Sequence, residues 1–209
     1  MGPAGTVDEL TAGRGRQRPA YVMLPSSTGA SRAEAAALAQ EAALQLAEQH
    51  IDHPTSHLVD LIRSQADMLG LYEDGLLVGC LVVPPDPDVR HWGVEGRAPG
   101  LLVSLVPPVP GGDTQGVRLL TLWLADRAAR SGLEWVRWEV PTTADATSEA
   151  STPLTGTLQD LGWECLPPVR RPDGERVTRL RLRAEARGAP AVAISAPDSA
   201  LRMLAESGR

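Results

Sequence analysis

Apolar residues along this chain keep a helical spacing at both ends of its central region and a strand-like continuity between them. Leu38, Ala42, Leu46 and Ile51 recur every three to five positions, which predicts a helix from Ser31 to about His50. Ser31 offers an N-cap hydroxyl, and Glu34 three residues on completes a capping box. A second helix runs from Pro54-Thr55 to about Ala66, with Leu58, Leu61 and Ile62 turned inward. Met68–Tyr72 and Leu76–Val83 then read as two strands around the turn Glu73-Asp74-Gly75. The second strand has hardly a polar residue, so it belongs in the middle of a sheet covered on both faces.

The stretch 84–99 is rich in Pro and Gly and reads as a loop. Leu101–Val106 is another buried strand. Asp113 or Thr114 can cap a helix from Gly116 to about Ser131, whose inner face carries Val117, Leu120, Leu124 and Ala128. Gly132 ends it. Leu133–Val140 is a strand, 141–152 a loop, and 153–161 a short helix ended by Gly162. Trp163–Leu166 and Arg176–Ala184 make a last pair of strands, joined through Pro172-Asp173-Gly174.

This order of elements predicts one α/β (α+β) domain over 31–184, with a strand–helix–strand unit at its centre. Residues 1–30 read as a flexible arm in which Tyr21–Leu24 can add an edge strand. Residues 185–209 read as a flexible tail in which Ser199–Ala205 can form a weak helix. No apolar run approaches the roughly 18 residues of a membrane span. Residues 1–18 have no apolar leader segment, which points to the cytoplasm.

Composition narrows the chemistry. The chain has no Lys, Asn or Phe, and all 20 basic residues are Arg. The pattern fits the codon usage of a GC-rich bacterial genome. It excludes a lysine Schiff base and a lysine-bearing phosphate loop. A net charge of −6 argues against a nucleic-acid partner, which needs a basic face. Cys80 and Cys165 sit in apolar runs and read as two buried thiols. No metal-binding motif is present, and Pro54 breaks up the cluster His50, His53 and His57. Trp123, Trp135, Trp138 and Trp163 read as core, and Trp92 as the exposed one. Arg179, Arg181 and Arg183 alternate with leucines and read as a solvated strand face.

In 101–118 a buried strand leads through a Gly-containing loop to a helix N-terminus. Unpaired amides at such a terminus suit a phosphate or diphosphate. The hairpin Leu71–Gly79, the spacing of Val106, Pro108, Gly112 and Gly116, the run Arg130-Ser-Gly-Leu133 with Val136–Val140, and Leu158-Gln-Asp-Leu-Gly-Trp163 resemble, in that order, the GNAT superfamily of acyl-CoA-dependent N-acetyltransferases. The resemblance implies a mixed, mostly antiparallel sheet of six to seven strands with helices on both faces. It also implies a splay between the fourth and fifth strands.

The activity it implies is transfer of an acetyl or related acyl group from acyl-CoA to an amine of a small molecule, by direct attack. The other reading is a binding or regulatory module of the same fold without transferase activity. A homodimer is compatible with the resemblance. The cofactor's amide-like arm would pair with Leu105 and Val106, with an amide near Val106 polarising the thioester carbonyl. Its diphosphate would lie on Gly111, Gly112, Thr114, Gln115, Gly116 and Val117, with Arg118 beside it. Gly111 and Thr114 depart from the family's loop, and Leu158 stands where its members often carry an acid tyrosine. Glu139 is the first candidate for the base, Ser104 could orient a water, and His91 could take the amine's proton.

Overall fold

A computed structural model describes residues 21–48, 55–64, 66–84, 86–106, 114–141, 153–187 and 194–207. The strands are β1 (Tyr21–Pro25), β2 (Asp67–Glu73), β3 (Leu76–Val83), β4 (Gly100–Val106), β5 (Trp135–Pro141), β6 (Trp163–Arg170), β7 (Arg176–Arg183) and β8 (Ile194–Ser195). The helices are α1 (Gly29–Glu48), α2 (Thr55–Arg63), α3 (Thr114–Arg130), α4 (Pro153–Asp160) and α5 (Asp198–Ser207). The strands form one sheet in the order β6-β7-β5-β4-β3-β2-β1-β8. Neighbours are antiparallel except β4 with β5 and β1 with β8, which are parallel.

Period-two alternation divides the strands between two cores. One face carries Leu69, Leu71, Leu81, Leu101, Val103, Val136, Trp138 and Leu180 and packs against α3, α4 and α5. The other carries Met68, Cys80, Val82 and Val106 and packs against α1 and α2. Ala35, Ala36, Ala39 and Ala42 give α1 a small-residue face that lets its backbone lie close to the sheet.

Several expectations shift by a turn or an element. Helix α1 opens at Gly29, and the capping oxygen is Thr28 Oγ1, which accepts the Ser31 N–H at 3.1 Å. Ser31 therefore sits inside the first turn rather than at the cap. The sheet has eight strands, because β1 pairs with β2 on one side and with β8 on the other. The expected loop 84–99 contains a 3-10 segment at Arg90–Gly96.

Four burial expectations are overturned. Trp92, expected outside, is completely buried, because two arginines from the sheet cover it. Arg179, expected in solvent, is buried for the same reason. Cys165 is exposed, since it lies on the edge strand β6 rather than inside the sheet. Trp135 is only half-buried, beneath the guanidiniums of Arg181 and Arg183. No helix among the described residues is long and apolar enough to cross a membrane.

Candidate active site

The parallel pairing of β4 with β5 covers four positions, from Gly100 with Trp135 to Val103 with Trp138. Beyond them each strand follows its other neighbour. β4 stays with β3 as far as Val106 opposite Cys80. β5 stays with β7 as far as Pro141 opposite Val177. Pro141 has no N–H to offer a parallel neighbour, which suits a strand that is leaving the ladder. The two strands therefore part in the middle of the sheet.

A cavity of about 240 Å³ lies at this parting, on the face that also carries α1 and α2. Its lining includes Leu61, Asp88, Leu102, Ser104, Glu139 and Arg171. Alternation along β5 sends Arg137 and Glu139 to this face and Trp138 to the opposite core. Trp138 and Leu158 both belong to that opposite core, and neither lines the cavity.

Glu139 is the hub. His91 Nε2 and Trp92 Nε1 each lie 2.5 Å from its Oε1. Arg171 Nε lies 3.4 Å from its Oε2. His91 and Glu139 expose only 6% and 9% of their side chains, so water does little to screen the pair. Two arginines hold the His91-Trp92 segment in place. Arg137 Nη2 donates to the carbonyls of Glu95 and Ala98, each at 2.6 Å. Arg179 Nη1 donates to the carbonyls of His91 and Trp92 at 3.5 and 3.4 Å, and its Nε and Nη2 donate to Pro167 O. Their guanidinium carbons lie 5.7 and 5.6 Å from the indole centroid, within cation–π range. Burial, and then the nearby Arg181, lower the Arg137 pKa from its usual value. Asp88, on the cavity rim, is held below the usual carboxylate range by its hydrogen bonds from Arg90.

The residues named from the sequence fall into three groups. Glu139 and Ser104 line the cavity, and His91 is bonded to Glu139. Leu105 and Val106 lie on the part of β4 that has left β5. The Val106 main chain lies beside the Cys80 thiol, opposite which it pairs on β3. Thr114 and Gln115 open α3, Gly116 and Val117 are buried in its first turn, and Arg118 is exposed. Gly111 and Gly112 lie outside the described residues. Sequence reasoning missed Trp92, Arg137, Arg171 and Arg179. The one available signal was a His-Trp pair inside a Pro- and Gly-rich stretch, where an apolar ring has no reason to be unless something covers it.

No model of a known protein family matches the chain, and no curated protein does. Solved structures do. The chain is similar to FeeM, an N-acyl amino acid synthase from uncultured soil microbes, at 13% identity and a TM-score of 0.49 over 87% of this chain and 97% of that one. It is similar to an aminoglycoside N(6')acetyltransferase from Legionella pneumophila, at 8% identity and a TM-score of 0.49 over 78% and 92%. It is also similar to the yncA protein of Salmonella typhimurium, solved with its cofactor acetyl-CoA, at 16% identity and a TM-score of 0.42 over 80% and 97%. Likeness at these values concerns the course of the backbone. The parting of β4 and β5 inside a mostly antiparallel sheet, with helices on both faces, decides the architecture. It is the arrangement that the sequence resemblance implies. Substrate and chemistry rest on this chain's own residues.

Proposed function

We propose that this chain transfers an acetyl or related acyl group from acyl-CoA to an amine of a small molecule. The observation that carries this reading is the β5-facing side of β4 beyond Val103, which no strand of the described residues pairs, beside a cavity lined by Glu139 and Ser104. An extended arm bearing amides can add to such an edge as a further strand. The diphosphate would lie on the backbone from Gly111 to Val117, where α3 begins, with the exposed Arg118 as its cation. The activity would be carried by the one sheet and its helices, to which β1, β8 and α5 also belong.

The cavity lining favours a cationic acceptor. Asp88, Glu139 and Asp173 place three carboxylates there against the single guanidinium of Arg171. The Glu139–His91 pair supplies the proton acceptor, and Ser104 can orient a water or the amine beside it. Amine nitrogen and thioester carbon then bond as the carbon–sulfur bond breaks. Leu158 cannot donate a proton, so the thiolate leaves unaided.

The other reading, a binding module of the same fold, is favoured by that same Leu158. Thermal unfolding with and without acetyl-CoA separates the two. Ligand at a hundredfold excess over Kd should stabilise a true acyl-CoA binder by about 2.7 kcal/mol. Thiol release in the presence of a panel of primary amines then tests transfer. No shift at millimolar acetyl-CoA would remove the transferase reading.

A further inference from the structure

The cavity takes up only one end of its sheet face. Helices α1 and α2 pack over β3 and the end of β4. The segment Arg90–Gly96 lies over the middle, where Arg137 and Arg179 donate to its carbonyls. At the start of β5 and the end of β7 the face comes to the surface. Trp135 and Arg181 are half-buried there, and Arg183 is exposed.

Six side chains of β5 and β7 share this face. Trp135, Arg137 and Glu139 pair in register with Arg183, Arg181 and Arg179. Four of the six are arginines, in a chain whose net charge is −6. Arg137 and Arg181 are direct cross-strand partners, a position in which like charges are destabilising. Glu164, opposite Arg181 on β6, takes its Nε and Nη2 at 2.7 Å. Arg183 has the Trp135 ring beside it and no carboxylate partner among the described residues. An acidic chain that gathers its cations on one surface breaks the usual mixing of signs, and such departures concentrate at functional sites.

We propose that this end of the sheet is a docking surface for an extended acidic segment of a partner protein, held by Arg181 and Arg183. The two arginines stand two positions apart on one strand, roughly 7 Å. Alternate residues of an extended segment have the same spacing, so carboxylates two positions apart meet both guanidiniums. A single small anion cannot span them. Each guanidinium presents a planar fork of N–H donors that matches a carboxylate. The cations are also held in place before a partner arrives. Their guanidinium carbons lie 4.5 and 5.5 Å from the Trp135 ring centroid, which limits the rotamer freedom lost on binding. Glu164 is half exposed, so its pair with Arg181 is a surface ion pair that an incoming carboxylate can share. A nucleic acid would need a longer run of cations, without Glu164 among them. The surface lies at the opposite end of β5 from Glu139 and the cavity, and it does not depend on the acyl-transfer reading.

Fluorescence anisotropy tests the proposal on the full-length protein. The probe is a fluorescein-labelled Glu-Ser-Glu-Ser-Glu peptide, with Gln-Ser-Gln-Ser-Gln as its uncharged counterpart. The acidic peptide should bind saturably and more weakly as salt rises, and the uncharged one should not bind. Arg183→Glu should weaken binding about tenfold, and the milder Arg183→Gln should weaken it by a smaller factor. Arg202→Glu, an equal charge reversal at an exposed position of α5, should leave it unchanged. Far-UV circular dichroism checks that each variant is folded. Equal losses in Arg183→Glu and Arg202→Glu would mean that overall charge, not this surface, attracts the peptide, and would overturn the proposal. So would an acidic peptide that binds no better than free glutamate, or a single-stranded oligothymidylate that binds more tightly than the peptide.

Discussion

Ser104 and Glu139 occupy the register position at which β4 and β5 would next pair, and no pairing joins them. One step earlier, Val103 and Trp138 are still partners. The ladder opens at the point where the β5 side chain changes from a core indole to a carboxylate. A gap between two central strands exposes backbone that a closed sheet would hide, and the cavity lies there.

Trp92 should be the most costly single residue of the site to remove. It is completely buried and touches two guanidiniums and a carboxylate. Trp92→Ala is expected to lower stability by about 3–5 kcal/mol in urea unfolding. Trp92→Phe keeps the ring and loses the N–H, so it should cost much less stability. Stability losses of equal size in the two variants would mean that the indole N–H, rather than packing, dominates.

Gly100 and Gly156 should respond in opposite directions to the same change. A Cβ on Gly100 would lie 2.4 Å from Arg137 Nη1 and 3.0 Å from the Trp135 carbonyl. Gly100→Ala therefore forces the buried guanidinium off its carbonyl partners and should cost about 1–3 kcal/mol. A Cβ on Gly156, inside α4, meets nothing within 4 Å. Gly156→Ala should add about 0.5–1 kcal/mol by helix propensity alone. Paired thermal melts check both.

The two thiols should separate cleanly in a reagent titration. Cys165 is exposed and should react in the native protein, whereas Cys80 should wait for unfolding. Burial pushes the Cys80 thiol up from 9.0 to about 12, partly offset by the Val106 amide. The folded state thus prefers the protonated thiol. Stability is fully present below about pH 9 and is lost as pH rises toward 12. Cys80→Ala should flatten that alkaline loss in a pH series of unfolding curves.

Asp126 ties the chain leaving β7 to helix α3. Its carboxylate is fully buried and accepts from Arg130 Nε at 2.8 Å and from the Arg187 amide at 2.7 Å. Burial alone would raise its pKa, but these two bonds together with the charges of Arg130 and Arg127 outweigh it and leave the group below its usual value. The stabilisation is present at neutral pH and fades as pH falls through and below the ordinary carboxylate range. Asp126→Asn should cost about 1–3 kcal/mol and speed hydrogen exchange at the Arg187 amide. Unchanged exchange there would show that the segment is held by other contacts.

The sequence by itself determined the order of elements, the strand–helix–strand unit at the centre and the placement of Glu139 near a strand end. Those follow from hydrophobic period and from turn residues, which are local. It also carried enough of a resemblance to imply a parted fourth and fifth strand. What only the tertiary structure decided is how residues far apart in sequence meet. Trp92 looked exposed because its neighbours in the chain are Pro, Gly and charged residues. It is buried because Arg137 and Arg179, 45 and 87 positions later, fold over it. Arg179 looked solvated because alternation with leucine says which side of a strand a residue takes, not what lies on that side. A carboxylate's role likewise depends on how many donors reach it. That number is set by packing across the sheet, so the partners of Glu139 could be read only once β5, the 3-10 segment and Arg171 were in place.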